Sequence, residues 1–274
     1  MKKLLFSLVL ALIATATMPT GPVQAQSPQT LLERKVFYQF LPAWANPKNV
    51  DARLEEKRFH GLVLWVGKPK PGKPTILYLP GSGGNLATRR GKLPWFLDRG
   101  YGVVAMAYPG MNGSKGQPSR QLIQLRANQL YEQLPKIVGN SPTIIWGESL
   151  GTGVGLEIAT HGVARRRPPL GIVLQAPYTS LVDLVAHKKP AMLPLFHSRS
   201  DLWPSKQTVK NTKVPLFILH GGADKTIPVS MGRTLFKLSP SPNKVFVTHP
   251  NAGHTSIWRR DVLLKMLDWI EALY

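Results

Sequence analysis

The chain contains no cysteine. That excludes a disulfide framework and thiolate chemistry. Acidic residues are scarce, 14 against 35 lysines and arginines, for a formal net charge of +21. No apolar run reaches the ~20 residues that span a bilayer, and no repeat of fixed period is visible. Neither the dinucleotide G-x-G-x-x-G spacing nor a Walker pattern occurs, which argues against nucleotide binding. The seven histidines show no H-E-x-x-H pairing, so no metal site and no cofactor are assigned.

The excess of positive charge draws such a chain to anionic surfaces: lipid head groups, envelope polymers or nucleic acid. Its basic residues are spread along the sequence, with Arg165 to Arg167 the densest cluster, and no zinc-finger, basic-zipper or RNA-recognition signature accompanies them. Loose adhesion to an anionic envelope surface is therefore expected, without specific nucleic-acid recognition. The 25 prolines and 24 glycines stay below the ~25–30% share that marks low complexity. A folded chain with many turns is the expectation.

The first 25 residues read as a secretory signal peptide. Lys2 and Lys3 precede an apolar run from Leu4 to about Ala16, then "MPTGP" and a small Ala25 before the cut. The alternative is an uncleaved N-terminal anchor. The expected mature chain starts near Gln26, is exported to a periplasm or medium, and keeps +19 after losing Lys2 and Lys3.

From about Phe59 onward, short β-rich runs alternate with helical segments. The runs are "FHGLVLWV", "TILYLP", "GVVAMAYP", "TIIWG", "GIVLQAP", "VPLFILHG" and "KVFVTHP". Most are continuously apolar, as a strand buried on both faces requires. The alternation predicts an α/β domain over 26–274 with a mainly parallel sheet of about eight strands and helices on both faces. Val36 to Trp44 and Phe59 to Val66 have no helix between them, which predicts an antiparallel start. The 178–213 connection exceeds the usual few residues; it carries Phe196 and Trp203 and reads either as a short cap over an acyl pocket or as an ordinary helix on the sheet. Tyr108, near the end of "GVVAMAYP", and Met111, just after it, are candidates for the same pocket.

In open parallel sheets the chemistry sits just beyond the carboxyl ends of the strands. "PGSGGN" (80–85) is there, either as a tight turn or as a turn aiming backbone N–H groups at an oxyanion. "GESLG" (147–151) matches G-x-S-x-G, a strained strand-to-helix turn that exposes a serine oxygen above the sheet. Such a serine needs a base, and the base needs an acid to fix its tautomer. "HGGADKTIP" offers Asp224 and "HPNAGHTS" offers His254, each after its own strand. Asp183 and Asp201 compete weakly for the acid's place. Glu148 reads as a brace for the serine turn, and His220 as a hydrogen-bonded structural residue.

These blocks, in this order, resemble the α/β-hydrolase superfamily, in particular the Bem46-like group of lysophospholipase-like or depalmitoylase-like hydrolases. The resemblance runs from about Arg58 to Tyr274 through "LYLPGSGGN", "AYPGMNGSKGQPS", "WGESLGTGVGLEIA", "QAPYTSLVDL", "LFILHGGADKTIP" and "NAGHTSIW". It implies Ser149 as nucleophile, Asp224 as orienting acid and His254 as base, with Ser82 and Leu150 supplying oxyanion N–H groups. The family's usual His-Gly-Asn is replaced here by Pro80, Gly81 and Ser82, which leaves a backbone contribution but no amide side chain. The function implied is two-step cleavage of carboxylic esters or thioesters, with a small acyl ester or lipid-like molecule as substrate. Amide cleavage, acyl transfer, or a non-catalytic envelope-binding protein on a hydrolase scaffold are the alternatives, because fold and triad do not choose the leaving group.

Overall fold

In the computed structural model, which describes residues 28–196, 198–199 and 201–274, the chain enters through helix α1 (Pro28–Phe37) and the short strand β1 (Gln39–Phe40). The expected leader, residues 1–25, lies outside the described residues. A hairpin of β2 (Glu55–Phe59) and β3 (Leu62–Gly67) follows, turning at His60 and Gly61 with φ of 46° and 82°. Two successive left-handed residues twist the turn in the sense the paired strands need, and Gly at the second position relieves the steric cost. The antiparallel start is therefore formed by Glu55–Phe59, not by Val36 to Trp44 as expected. The earlier stretch begins inside α1 and continues into β1, which pairs in parallel with β5 (Gly83–Gly84) instead.

The rest of the chain alternates as anticipated. In order come β4 (Thr75–Leu79), β5, α2 (Leu93–Asp98), β6 (Gly102–Met106), α3 (Arg120–Val138), β7 (Thr143–Glu148), α4 (Leu150–Thr160) and α5 (Gly162–Arg166). Then follow β8 (Gly171–Gln175), α6 (Leu181–Lys188), α7 (Ser205–Thr208), β9 (Leu216–Gly221), α8 (Val229–Leu238), β10 (Lys244–His249) and α9 (Arg260–Glu271). One sheet of eight strands runs β10-β9-β8-β7-β4-β6-β3-β2, parallel from β10 to β6 and antiparallel at its β3 and β2 end.

Every residue of β3, β4, β6, β7, β8 and β9 is buried, which is why those runs are apolar without alternation. Side-chain parity then sorts the helices onto two faces. Ile145 meets α4 at Gly155, and His220, whose parity matches it through the strand register, meets α8 at Gly232. Trp146 points the other way to Phe96 of α2, and Phe217 on the same side meets Trp269 of α9. With helices on both faces, only the strand ends remain open, so the loops after β4, β7, β9 and β10 meet along one rim.

Beyond β8 the chain folds into α6, a 3₁₀ stretch (Pro190–Phe196) and α7 before returning to β9. Ser180 caps α6, its hydroxyl accepting from the Asp183 N–H at 2.9 Å. Among the described residues no helix is long and apolar enough to cross a membrane.

Candidate active site

Ser149 leaves β7 with φ 51° and ψ −114°, a left-handed conformation that costs a non-glycine residue free energy. Its N–H donates to the Gln175 carbonyl of β8 at 2.8 Å, and the Thr152 N–H and hydroxyl donate to its own carbonyl at 2.9 and 2.6 Å. The turn is thus pinned on both sides. The two flanking glycines are dictated by space. A Cβ on Gly147 would stand 2.5 Å from the Gly151 carbonyl oxygen, and one on Gly151 would stand 2.0 Å from the Leu79 carbonyl oxygen.

The loop after β10 brings His254 to this serine, with Nε2 3.1 Å from Ser149 Oγ. The loop after β9 brings Asp224 behind the imidazole, Oδ2 at 2.8 Å from His254 Nδ1. With the carboxylate accepting from Nδ1–H, Nε2 is left free to accept from the serine hydroxyl. The other carboxylate oxygen, Oδ1, accepts the N–H groups of Thr226 and Ile227 at 2.7 and 2.9 Å. Burial by itself raises the pKa of Asp224, but hydrogen bonds from His220, His254 and Ile227 outweigh it and hold the carboxyl well below the usual range.

His220 is fully buried beneath Asp224. Its Nε2 lies 2.9 Å from the Ile227 carbonyl and 3.5 Å from Asp224 Oδ2. Glu148 sits on the other side of the elbow, buried with Lys92 Nζ at 2.8 Å and Arg89 Nε at 3.6 Å, and it accepts from the Tyr78 hydroxyl. Burial raises its pKa; the two cations overcome that and bring it down to about 2. Lys92 in turn lies over the Trp258 ring, 5.1 Å from its centroid. Glu148 is therefore an ionised brace tying β7 to β4 and to the segment before α2.

Two cavities meet at Ser149. One, about 260 Å³, is mainly apolar and is lined by Val36, Phe37, Leu181, Leu184, Val185 and Ile227, together with Ser82, Ser149 and Leu150. The other is more open, is lined by glycines and polar residues, and reaches from Ser82 and Thr226 past Arg89 to His254 and Thr255. Neither the Ser82 nor the Leu150 N–H donates to another described residue. Gly81 lets this turn approach closely, since a Cβ there would be 3.3 Å from Ser149 Cβ.

The four residues expected to line the pocket are elsewhere. Tyr108, Met111, Phe196 and Trp203 are all buried, and none lines either cavity. Tyr108 donates to the Pro80 carbonyl at 3.1 Å, and Trp203 Nε1 donates to Gln124 at 2.9 Å. Phe196 stands one layer back, against Phe37 at 5.4 Å between ring centroids. Large aromatic side chains in these loops are more fully desolvated under the connection than at a cavity wall. The 178–213 segment does reach the apolar cavity, through Tyr178, Leu181, Leu184, Val185, Lys188 and Lys189.

Sequence reasoning missed the α1 contribution, Val36 and Phe37, because that stretch precedes the β-rich pattern and carries no motif. It also missed Arg89 and Lys92, whose charges look like ordinary surface until Glu148 is seen buried between them. Among the described residues no group of three or more His, Asp or Glu side chains is placed to hold a metal ion.

No protein-family model matches the chain. It is similar to protein ABHD12B of Homo sapiens, 32% identical over 71% of this chain and 59% of that protein. It is also similar to lysophosphatidylserine lipase ABHD12 of Danio rerio, 30% identical over 72% of this chain and 52% of that protein. The chain thus matches between half and three fifths of the length of these relatives. Among solved structures, an alpha-beta hydrolase from Vibrio vulnificus superposes with a TM-score of 0.71 over 92% of this chain and 95% of its own, at 16% identity. A soluble variant of monoglyceride lipase from Saccharomyces cerevisiae gives 0.63 over 81% and 96%, also at 16% identity. With its eight-stranded, mostly parallel sheet, its serine turn after β7 and these relatives, the chain belongs to the α/β-hydrolase superfamily.

Proposed function

We propose that the protein is an exported serine hydrolase that cleaves carboxylic esters or thioesters through an acyl-enzyme, with Ser149 as nucleophile, His254 as base and Asp224 as orienting acid. The observation that carries this reading is the relay itself: the imidazole of His254 bridges Ser149 Oγ at 3.1 Å and Asp224 at 2.8 Å, beside an apolar cavity.

Ser149 Oγ attacks the carbonyl carbon while its proton passes to His254 Nε2. The oxyanion faces the N–H groups of Ser82 and Leu150, the latter at the positive end of α4. Collapse breaks the carbonyl's bond to the leaving oxygen or sulfur, which takes the proton from Nε2, and the acyl group stays on Ser149. Water then gives a proton to Nε2 and attacks the acyl carbon; the second collapse returns that proton to Ser149 and releases the acid. Asp224 stays ionised throughout, since its carboxyl is held well below the usual range.

The apolar cavity supports an acyl chain as the carbonyl's partner, in keeping with the lysophosphatidylserine lipase and monoglyceride lipase names of its relatives and structural neighbours. At about 260 Å³ it is below the ~300–1,000 Å³ of pockets for drug-sized ligands, which favours one acyl chain over two. The 178–213 segment serves as the short cap, and the net charge, +19 once Lys2 and Lys3 leave with the leader, favours adhesion to an anionic envelope surface. A fluorophosphonate probe tests the core of the reading. Wild type labels while Ser149→Ala and His254→Ala do not; equal labelling of all three removes the nucleophile assignment.

A further inference from the structure

Glu33 is the one carboxylate of α1, and its side chain is fully buried. A buried carboxylate persists only if it is paired and hydrogen-bonded. Oε1 accepts the Arg120 N–H at 2.7 Å, at the first turn of the 19-residue helix α3, and also the Tyr38 hydroxyl. Oε2 meets Arg199 Nη2 at 2.8 Å, and Arg199 belongs to the connection that follows the 3₁₀ stretch 190–196. One carboxylate therefore ties together α1, the start of α3 and the segment over the site. The relay of Ser149, His254 and Asp224 makes no use of it.

One turn after Glu33 come Val36 and Phe37, which line the apolar cavity together with Leu181, Leu184 and Val185 of α6. Phe37 is backed by Phe196. Further along, β1 pairs with Gly83–Gly84, and the Leu41 N–H donates to the Gly84 carbonyl at 2.8 Å. The same segment that walls the cavity thus also braces the turn bearing Ser82. A wall formed from a single ten-residue helix has little intrinsic stability in water, so its position depends on the groups that clamp it.

We propose that α1 is the acyl-selecting wall of the site, with Val36 and Phe37 setting the chain length accepted and Glu33 as the positioning residue that holds them in place. This rests on the reading of the protein as an acyl-ester hydrolase. Widening or narrowing the wall alters long chains, which reach it, more than an acetyl group, which ends near Ser149.

The test compares p-nitrophenyl acetate with p-nitrophenyl dodecanoate, with active sites counted by fluorophosphonate titration so that misfolded protein drops out. Val36→Trp is expected to lose at least tenfold more kcat/KM on dodecanoate than on acetate. Glu33→Gln is expected to raise KM for dodecanoate at least fivefold more than for acetate, whereas a purely structural role would lower the number of titratable sites and leave both KM values alone. Equal losses on the two esters in both variants overturn the proposal. If Val36→Trp yields no titratable protein, Val36→Ala carries the test, with a shift of preference toward longer chains expected and an unmoved preference overturning it. Binding of 11-(dansylamino)undecanoic acid to Ser149→Ala, read by fluorescence, separates the two claims. Weakening by added Val36→Trp supports the wall even if the wild type hydrolyses no ester, and undiminished binding overturns it even if the hydrolase reading holds.

Discussion

His254 Nδ1 lies 2.8 Å from the Asp224 carboxylate, so the imidazole is held in the tautomer whose Nε2 faces Ser149. Asp224→Asn replaces the acceptor by a group that also presents N–H donors, which favours the wrong tautomer while leaving the shape unchanged. We expect kcat on a nitrophenyl ester to fall by about 10⁴-fold with KM little altered. Steady-state kinetics check this, and a loss under tenfold would mean that another group orients His254.

Glu148 supplies a pH-dependent test of the brace beside the elbow. Its pKa falls from 4.5 unfolded to about 2 folded, so its contribution to stability is complete above about pH 4.5 and is lost as pH drops toward 2. Glu148→Gln leaves Lys92 and Arg89 buried without their counter-ion, which costs about 3–5 kcal/mol at pH 7. Urea denaturation at pH 7 and pH 3 should show the gap between wild type and variant narrowing in acid. A constant gap would contradict the ion-pair account.

The Gly151 backbone has no room for a side chain, the nearest atom to a Cβ being the Leu79 carbonyl oxygen at 2.0 Å. Gly151→Ala must therefore push α4 away from β4. We expect a loss of about 3 kcal/mol or more, at the upper end of overpacking costs, seen as a lowered thermal midpoint. An unchanged midpoint would show that the elbow relaxes freely.

Trp203 is a core residue whose indole N–H is satisfied by Gln124. Trp203→Phe removes that bond and some volume, for about 1–3 kcal/mol of stability, but leaves the ranking of ester chain lengths as in wild type. Leu184→Trp, which intrudes into the apolar cavity, should instead depress long-chain esters selectively. Nitrophenyl ester series on both variants decide between the core and pocket assignments.

Much of this was legible in the linear chain. Continuous apolar runs such as "TILYL" and "GIVLQ" announce strands covered on both faces, and the glycines around Ser149 announce a backbone turn crowded on two sides. Asp224 and His254 stand out as candidates by a rule of position, because side chains just beyond the strand ends stay open when helices cover both faces. The hairpin at His60-Gly61 was also there to be read, but the charged strand "EEKRF" lacks an apolar pattern because it lies at the sheet edge. The pocket was misjudged for a related reason: aromatic character marks desolvation, and Trp203 and Tyr108 are desolvated by the core rather than by a ligand cavity.

Local patterning, which depends on neighbours along the chain, was enough to mark the buried strands, the longer helices from α2 onward and the residue types at each strand end, but not α1 or the edge strand β2. Which of those residues touch, and what walls the cavity, depended on long-range packing. Glu33 with Arg199, Glu148 with Lys92, and Phe37 with Phe196 are pairs separated by tens to over a hundred residues, and no periodicity encodes them. Only the closed tertiary structure, in which each buried charge must find its counter-charge, decided that α1 and Ser149 line one cavity.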